Sequence, residues 1–105
     1  MVEVIWTDPA LSDLDAIADY ISLEDPGAAR KLVRRIFNHV DKLVDHPEIG
    51  PVPVELEGWL YRQIVEPPVR IFYRREDQTV YVVHVMRSER QLRKSLLERG
   101  IGSDS

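Results

Sequence analysis

Two runs in the second half of the chain carry the residue types that could do chemistry. Val69-Arg70-Ile71-Phe72-Tyr73-Arg74-Arg75 and Val80-Tyr81-Val82-Val83-His84-Val85-Met86-Arg87 mix β-forming apolar residues with cations, and Glu76-Asp77-Gln78-Thr79 joins them. A hairpin of this kind can bury one face and hold cations toward a partner on the other. An anionic partner, a phosphodiester or an acidic peptide, is the chemistry to test. Arg70, Phe72 and Arg74 are two residues apart and project from one side of their strand. If that side faces away from the rest of the protein, it is a basic groove with an aromatic floor. The competing assignment makes Arg70 structural, tying strand ends or pairing with Glu55 or Glu57. His84 can act as an acid or base near neutral pH, and with Arg70, Arg74 and Arg87 it could form a small nuclease site. Strict alternation places His84 with Val82 and Met86, opposite Val83, Val85 and Arg87. The plainer assignment is a half-buried strand histidine bonded to a backbone or carboxylate group. His39 and His46 read as helix-surface and helix-end residues. Trp59 is either an exposed anchor or a core-rim residue, and Trp6 packs on the helices.

Composition narrows the setting. The chain has 105 residues, enough for one domain over residues 1–105 with one modest core. It has no cysteine, which excludes disulfides, thiolate metal sites and a Cys nucleophile. No cofactor or metal is implied. No run is long enough to cross a bilayer, and Met1-Val2-Glu3-Val4-Ile5-Trp6 has no basic region of a signal peptide. Both points suit a cytoplasmic protein. The net charge of −4 alone argues against nucleic-acid binding, but it is unevenly spread. Residues 1–58 hold 5 Lys/Arg and 12 Asp/Glu, while residues 59–99 hold 9 Lys/Arg and 5 Asp/Glu. An acidic first half precedes a basic second half, and local fields follow local charge.

These side chains need elements to position them. Val2 to Trp6 reads as a strand. Asp8 before Pro9 is a helix-start signal, with Asp as cap. Leu11, Leu14, Ile17, Ala18 and Ile21 then form one helical stripe. Asp25-Pro26 repeats the signal, and apolar spacing from Ala29 to Val44 predicts about five helical turns. The short link at 22–24 makes the two helices an antiparallel hairpin. The Pro- and Gly-containing stretch from His46 to Gly58 is a loop. Trp59–Glu66, Val69–Arg75 and Thr79–Arg87 read as three strands in an antiparallel meander. Ser88-Glu89-Arg90-Gln91 fits a capping box for a short C-terminal helix carrying Leu92, Leu96 and Leu97, with Gly100 as its stop and a polar tail over 101–105. The expected class is α+β, with the helix hairpin packed on one sheet face and the other face left open to a partner.

The order and spacing of several residues resemble the RelE/ParE superfamily of bacterial type II toxins. They are Trp6, Asp8 and Ala10; Leu14, Ile17, Tyr20 and Ile21; Ala28-Ala29; Pro47 and Gly50; Glu55-Leu56; Arg62; Val69 to Arg74; and Val80 to Arg90. The resemblance spans nearly the whole chain. It implies a toxin neutralised by a cognate antitoxin in a hetero-oligomer. RelE-like members cleave messenger RNA in the ribosome, whereas ParE-like members share the fold and inhibit DNA gyrase. Fold does not choose between these activities.

Residue by residue, the ribonuclease pattern transfers poorly. It implies lysines near the end of the second helix and the following loop, but Leu43 to Tyr61 contains no Lys or Arg. It implies an arginine at the end of the second strand, where this chain has Glu66. It implies a tyrosine in the C-terminal segment, and none follows Tyr81. The reading is therefore a ParE-like toxin that inhibits gyrase by binding, with Arg87, Arg90, Arg93 and Lys94 on the target. Arg70, Phe72, Arg74 and Trp59 are expected to dock the antitoxin. The alternative is a ribosome-dependent ribonuclease with Arg62, His84 and Arg87 as a divergent site. A third reading is a family member that only binds its antitoxin.

Overall fold

Thr7 settles where the first helix begins. The computed structural model describes residues 1–99. Strand β1 (Glu3–Trp6) leads into helix α1 (Asp8–Ser22). Thr7 is extended, and its hydroxyl accepts from the Ala10 amide at 3.3 Å while donating to the Val82 carbonyl at 2.9 Å. The cap is thus Thr7 rather than Asp8, which sits in the first turn, where its charge suits the helix dipole. Helix α2 (Pro26–Asp41) starts as the sequence predicts, with the Asp25 carboxylate accepting from the Ala28 amide at 3.0 Å. The α-helical geometry ends at Asp41 and tightens into a 3-10 turn over Lys42–Val44.

Three further strands follow: β2 (Tyr61–Glu66), β3 (Val69–Glu76) and β4 (Thr79–Arg87). The sheet order is β1-β4-β3-β2, with β1 parallel to β4 and the meander antiparallel. β2 starts at Tyr61 rather than Trp59, because the Trp59 amide closes a turn on the Leu56 carbonyl and Gly58 takes φ +88°. The β3–β4 register shifts at one point: Phe72 faces His84 but Tyr73 faces Val82, so Val83 is an extra residue, a bulge.

Both faces of the sheet are covered. On one, Leu14, Ile17, Leu32 and Ile36 from the helices pack against Ile71, Tyr73, Val80 and Val82. On the other, Phe72, Val83 and Met86 form a second core with Leu56 and Leu97. Leu56 closes the 3-10 turn Val54–Leu56, and Leu97 belongs to the 3-10 segment Lys94–Glu98. The expectation of an open second face is therefore corrected: a sheet face this apolar draws the loop and the C-terminal segment over itself. The predicted capping box is not formed either. The Ser88 amide donates to the Pro68 carbonyl at 2.8 Å and the Arg90 amide to the Arg87 carbonyl at 3.0 Å. The segment then runs without helix or strand to Lys94, with Arg93 extended, and Leu92 and Leu97 pack on the second core. Gly100 and the tail lie outside the described residues. Among the described residues, no helix is long and apolar enough to cross a membrane.

Candidate functional site

β1 pairs with β4 only as far as Val82, and the Thr7 amide makes the last contact, to the Val82 carbonyl at 3.1 Å. Beyond that point, among the described residues, β4 has no neighbouring strand on this side, and α1 runs alongside instead. Asp13 of α1 fills the place a strand would take. Its Oδ2 accepts from the Val85 amide at 3.3 Å, from His84 Nδ1 at 2.7 Å and from Arg99 Nη2 at 2.7 Å. Arg99 Nη2 also lies 3.1 Å from His84 Nδ1. Since Nδ1 meets a carboxylate at 2.7 Å, it carries the proton and donates to Asp13, leaving Arg99 to bond the same oxygen. Burial pushes the Asp13 carboxyl up, but the His84 and Arg99 hydrogen bonds and the Val85 amide outweigh it and hold its pKa below the ordinary 3.8. His84 is buried and stacks on Phe72 at 5.8 Å. The plainer assignment, a strand histidine bonded to a carboxylate, is what the structure contains. The bulge at Val83 is why alternation misplaced it: His84 lies on the side of Phe72 and Met86, away from Val82.

A groove of about 1200 Å³ opens beside this cluster, between α1, the end of β4 and the C-terminal segment. Asp13, Tyr20, His84, Arg87, Arg90 and Arg93 are among its lining residues. Arg87 is partly engaged, with Nε 2.7 Å from Glu89 and its guanidinium 4.8 Å from the centre of the Tyr20 ring. Arg90 and Arg93 are exposed. Lys94 is exposed as well and places its ammonium 5.5 Å from the Trp59 ring. The four cations expected to meet a target therefore lie along one continuous stretch from the end of β4 into the C-terminal segment.

Arg62, His84 and Arg87 do not converge. Arg62 pairs with Tyr73, whose side chain belongs to the helix-facing core, so Arg62 projects to that side and not to the side of Arg70 and Arg74. Its Nη1 donates to the carbonyls of Gly50 at 2.8 Å and Glu48 at 3.4 Å, fastening the Pro-rich loop to β2. Glu66 also turns toward the helices, where it pairs with Arg35 at 3.3 Å and His39 at 3.2 Å. His39 is thus a partner of Glu66 rather than a free surface residue.

Arg70, Phe72 and Arg74 share one face as their spacing predicts, but the aromatic floor is closed. Phe72 is 0% exposed beneath the second core. Its expected role as an exposed contact is corrected, since Leu97 and Leu56 fill the space in front of it. Arg70 lies over the Phe72 ring, forks onto both oxygens of Glu55 at 3.0 Å and bonds Gln63 at 2.7 Å. Those bonds hold the Glu55 carboxyl below its usual range. Arg74 pairs with Glu76 at 2.7 Å and stacks near Tyr61. Trp59 is 41% exposed, with its ring centre 6.1 Å from that of Tyr61. Among the described residues, no group of three or more His, Asp or Glu could hold a metal ion.

Residues 4–92 match the family described as the ParE toxin of type II toxin-antitoxin systems, parDE. The toxin RelE2 of Caulobacter vibrioides is 36% identical over 90 residues, covering 86% of this chain and 99% of that protein. A solved chain of the chromosomal ParDE toxin-antitoxin system from P. aeruginosa superposes with a TM-score of 0.69 at 29% identity, covering 85% of this chain and 98% of that one. Sequence order, the two-helix-on-sheet architecture and the extent of these matches agree: the chain belongs to the ParE toxin family, within the RelE/ParE superfamily of type II toxin–antitoxin toxins.

Proposed function

We propose that this protein is a cytoplasmic toxin that inhibits DNA gyrase by binding it, and that a cognate antitoxin neutralises it. The observation that carries this reading is the engagement of Arg62 and Glu66. The arginine a ribonuclease would aim at phosphate is bonded to two loop carbonyls, and the end of β2 presents a carboxylate held by Arg35 and His39. Phosphoryl chemistry needs preorganised cations around the scissile group, and these positions do not supply them. Exposed cations instead gather at the end of β4 and beyond, where Arg90, Arg93 and Lys94, with Arg87 at their base, form a surface suited to an acidic protein patch. The antitoxin docks over the exposed Trp59, with Arg70 and Arg74 at the margin and Phe72 supporting from below. A supercoiling assay with purified gyrase tests the activity: inhibition that rises with toxin concentration is expected, and none at toxin excess would sink the proposal.

One observation favours a second reading. His84, oriented by Asp13, lines the same groove as Arg87, so a ribosome-dependent ribonuclease has a candidate acid–base residue. Primer extension on messenger RNA after induction separates the two, because only the ribonuclease leaves position-specific cuts within codons.

A further inference from the structure

The exposed cations Arg90, Arg93 and Lys94 lie on a span clamped at both ends. At one end, the Ser88 amide bonds Pro68 and the Arg90 amide bonds Arg87. At the other, Leu97 is fully buried in the second core, and Arg99 reaches Asp13. Arg99 is bonded twice: Nε donates to the Leu96 carbonyl at 2.9 Å, which closes the last turn, and Nη2 donates to Asp13 at 2.7 Å. Leu97 alone is a greasy point about which a short 3-10 segment can turn. A second, directional contact two residues on fixes its rotation. Asp13 supplies that contact from α1, and the same oxygen is held by His84 and Val85 of β4. One carboxylate therefore joins a helix, a strand edge and the C-terminal segment. Arg99 lies beyond residues 4–92, the stretch that matches the family, so the tie links a family-matched residue to one outside that match.

We propose that Asp13 is a positioning residue, which through Arg99 holds residues 91–98 in the place from which Arg90, Arg93 and Lys94 meet the target. This rests on the reading that those cations contact the target. It assigns Asp13 no contact with the target itself.

The chain has no cysteine, so Ser95→Cys, at an exposed position of the segment, gives a single site for a spin label. In that background, Arg99→Ala is expected to increase label mobility and to speed tryptic cleavage after Arg93 and Lys94 by about tenfold, as loss of one charge-assisted hydrogen bond allows. Growth arrest on induction and gyrase inhibition should each require about tenfold more toxin, with the slope of urea unfolding unchanged and its midpoint lowered by no more than the loss of that one bond. Arg99→Lys should recover part of both losses. Asp13→Asn should act in the same direction; Arg99→Ala remains decisive if that variant folds poorly. Unchanged label motion and cleavage in Arg99→Ala would overturn the tie. A loosened segment with full growth arrest would overturn the positioning role. A wild-type protein that arrests growth without inhibiting gyrase would refute the gyrase assignment alone, and the growth arm would still decide the role of Asp13.

Discussion

Arg62 Nη1 donates to the Gly50 carbonyl at 2.8 Å, joining the second strand to a loop twelve residues earlier in the chain. The Gly50 amide donates in turn to the Tyr73 hydroxyl at 3.0 Å, and the Gln63 amide bonds the Pro51 carbonyl at 3.0 Å. The loop thereby covers part of the free β2 edge, which would otherwise present unpaired backbone groups.

Gly50 has no room for a side chain. A Cβ there would sit 2.1 Å from the Gln63 carbonyl oxygen and 2.9 Å from the Tyr73 hydroxyl. Gly50→Ala is expected to lose at least the ~1–3 kcal/mol typical of overpacking. Thermal unfolding should show this as a fall in Tm of at least about 5 °C.

Tyr73→Phe removes the acceptor of the buried Gly50 amide while keeping the ring in the helix-facing core. An unsatisfied buried amide costs ~1–3 kcal/mol, so the urea midpoint should fall with little change in its slope. Burial pushes the Tyr73 phenol above its ordinary value, so this contribution should persist through neutral and mildly alkaline pH.

Glu66→Arg restores the arginine that a ribonuclease would carry, but places it against Arg35 and His39. Expected are a stability loss of about 1 kcal/mol from like-charge contact and no position-specific messenger RNA cuts by primer extension.

The folded-state pKa of Asp13 is depressed below 3.8. A depressed carboxyl stabilises the fold above its unfolded pKa, and that contribution is lost as pH falls through the folded value. Urea titrations of wild type and Asp13→Asn should therefore show a stability gap that is full at neutral pH and narrows only below about pH 4.

Long, periodic features were legible in the sequence. The stripe from Leu14 through Ile17 to Ile21 and the Asp25-Pro26 start specify the helix hairpin, and the β-rich runs specify the meander. The features missed are short or non-local. The turns Val54–Leu56 and Lys94–Glu98 are too brief to show a period, so the cover over Phe72 was unreadable. Thr7 replaced Asp8 as cap because its hydroxyl also reaches Val82, a contact 75 residues away. At the candidate site, the shared face of Arg70 and Arg74 and the Arg70–Glu55 pair were readable from spacing and charge. The meeting of Asp13 with His84 was not, because it spans 71 residues and depends on where β1 stops.

The extra residue at Val83 works as a frameshift written in space. Upstream of it, even-numbered positions of β4 point at the helices; downstream, odd-numbered positions such as Val85 do. The exposed chemistry of this protein begins in the shifted frame. Deleting Val83 would make the ladder regular, with His84 still opposite Phe72 and with Val85 and Met86 still in their separate cores, at the loss of the Val83 side chain from the second core. Residues transplanted from a relative into this stretch keep their meaning only when counted from the bulge.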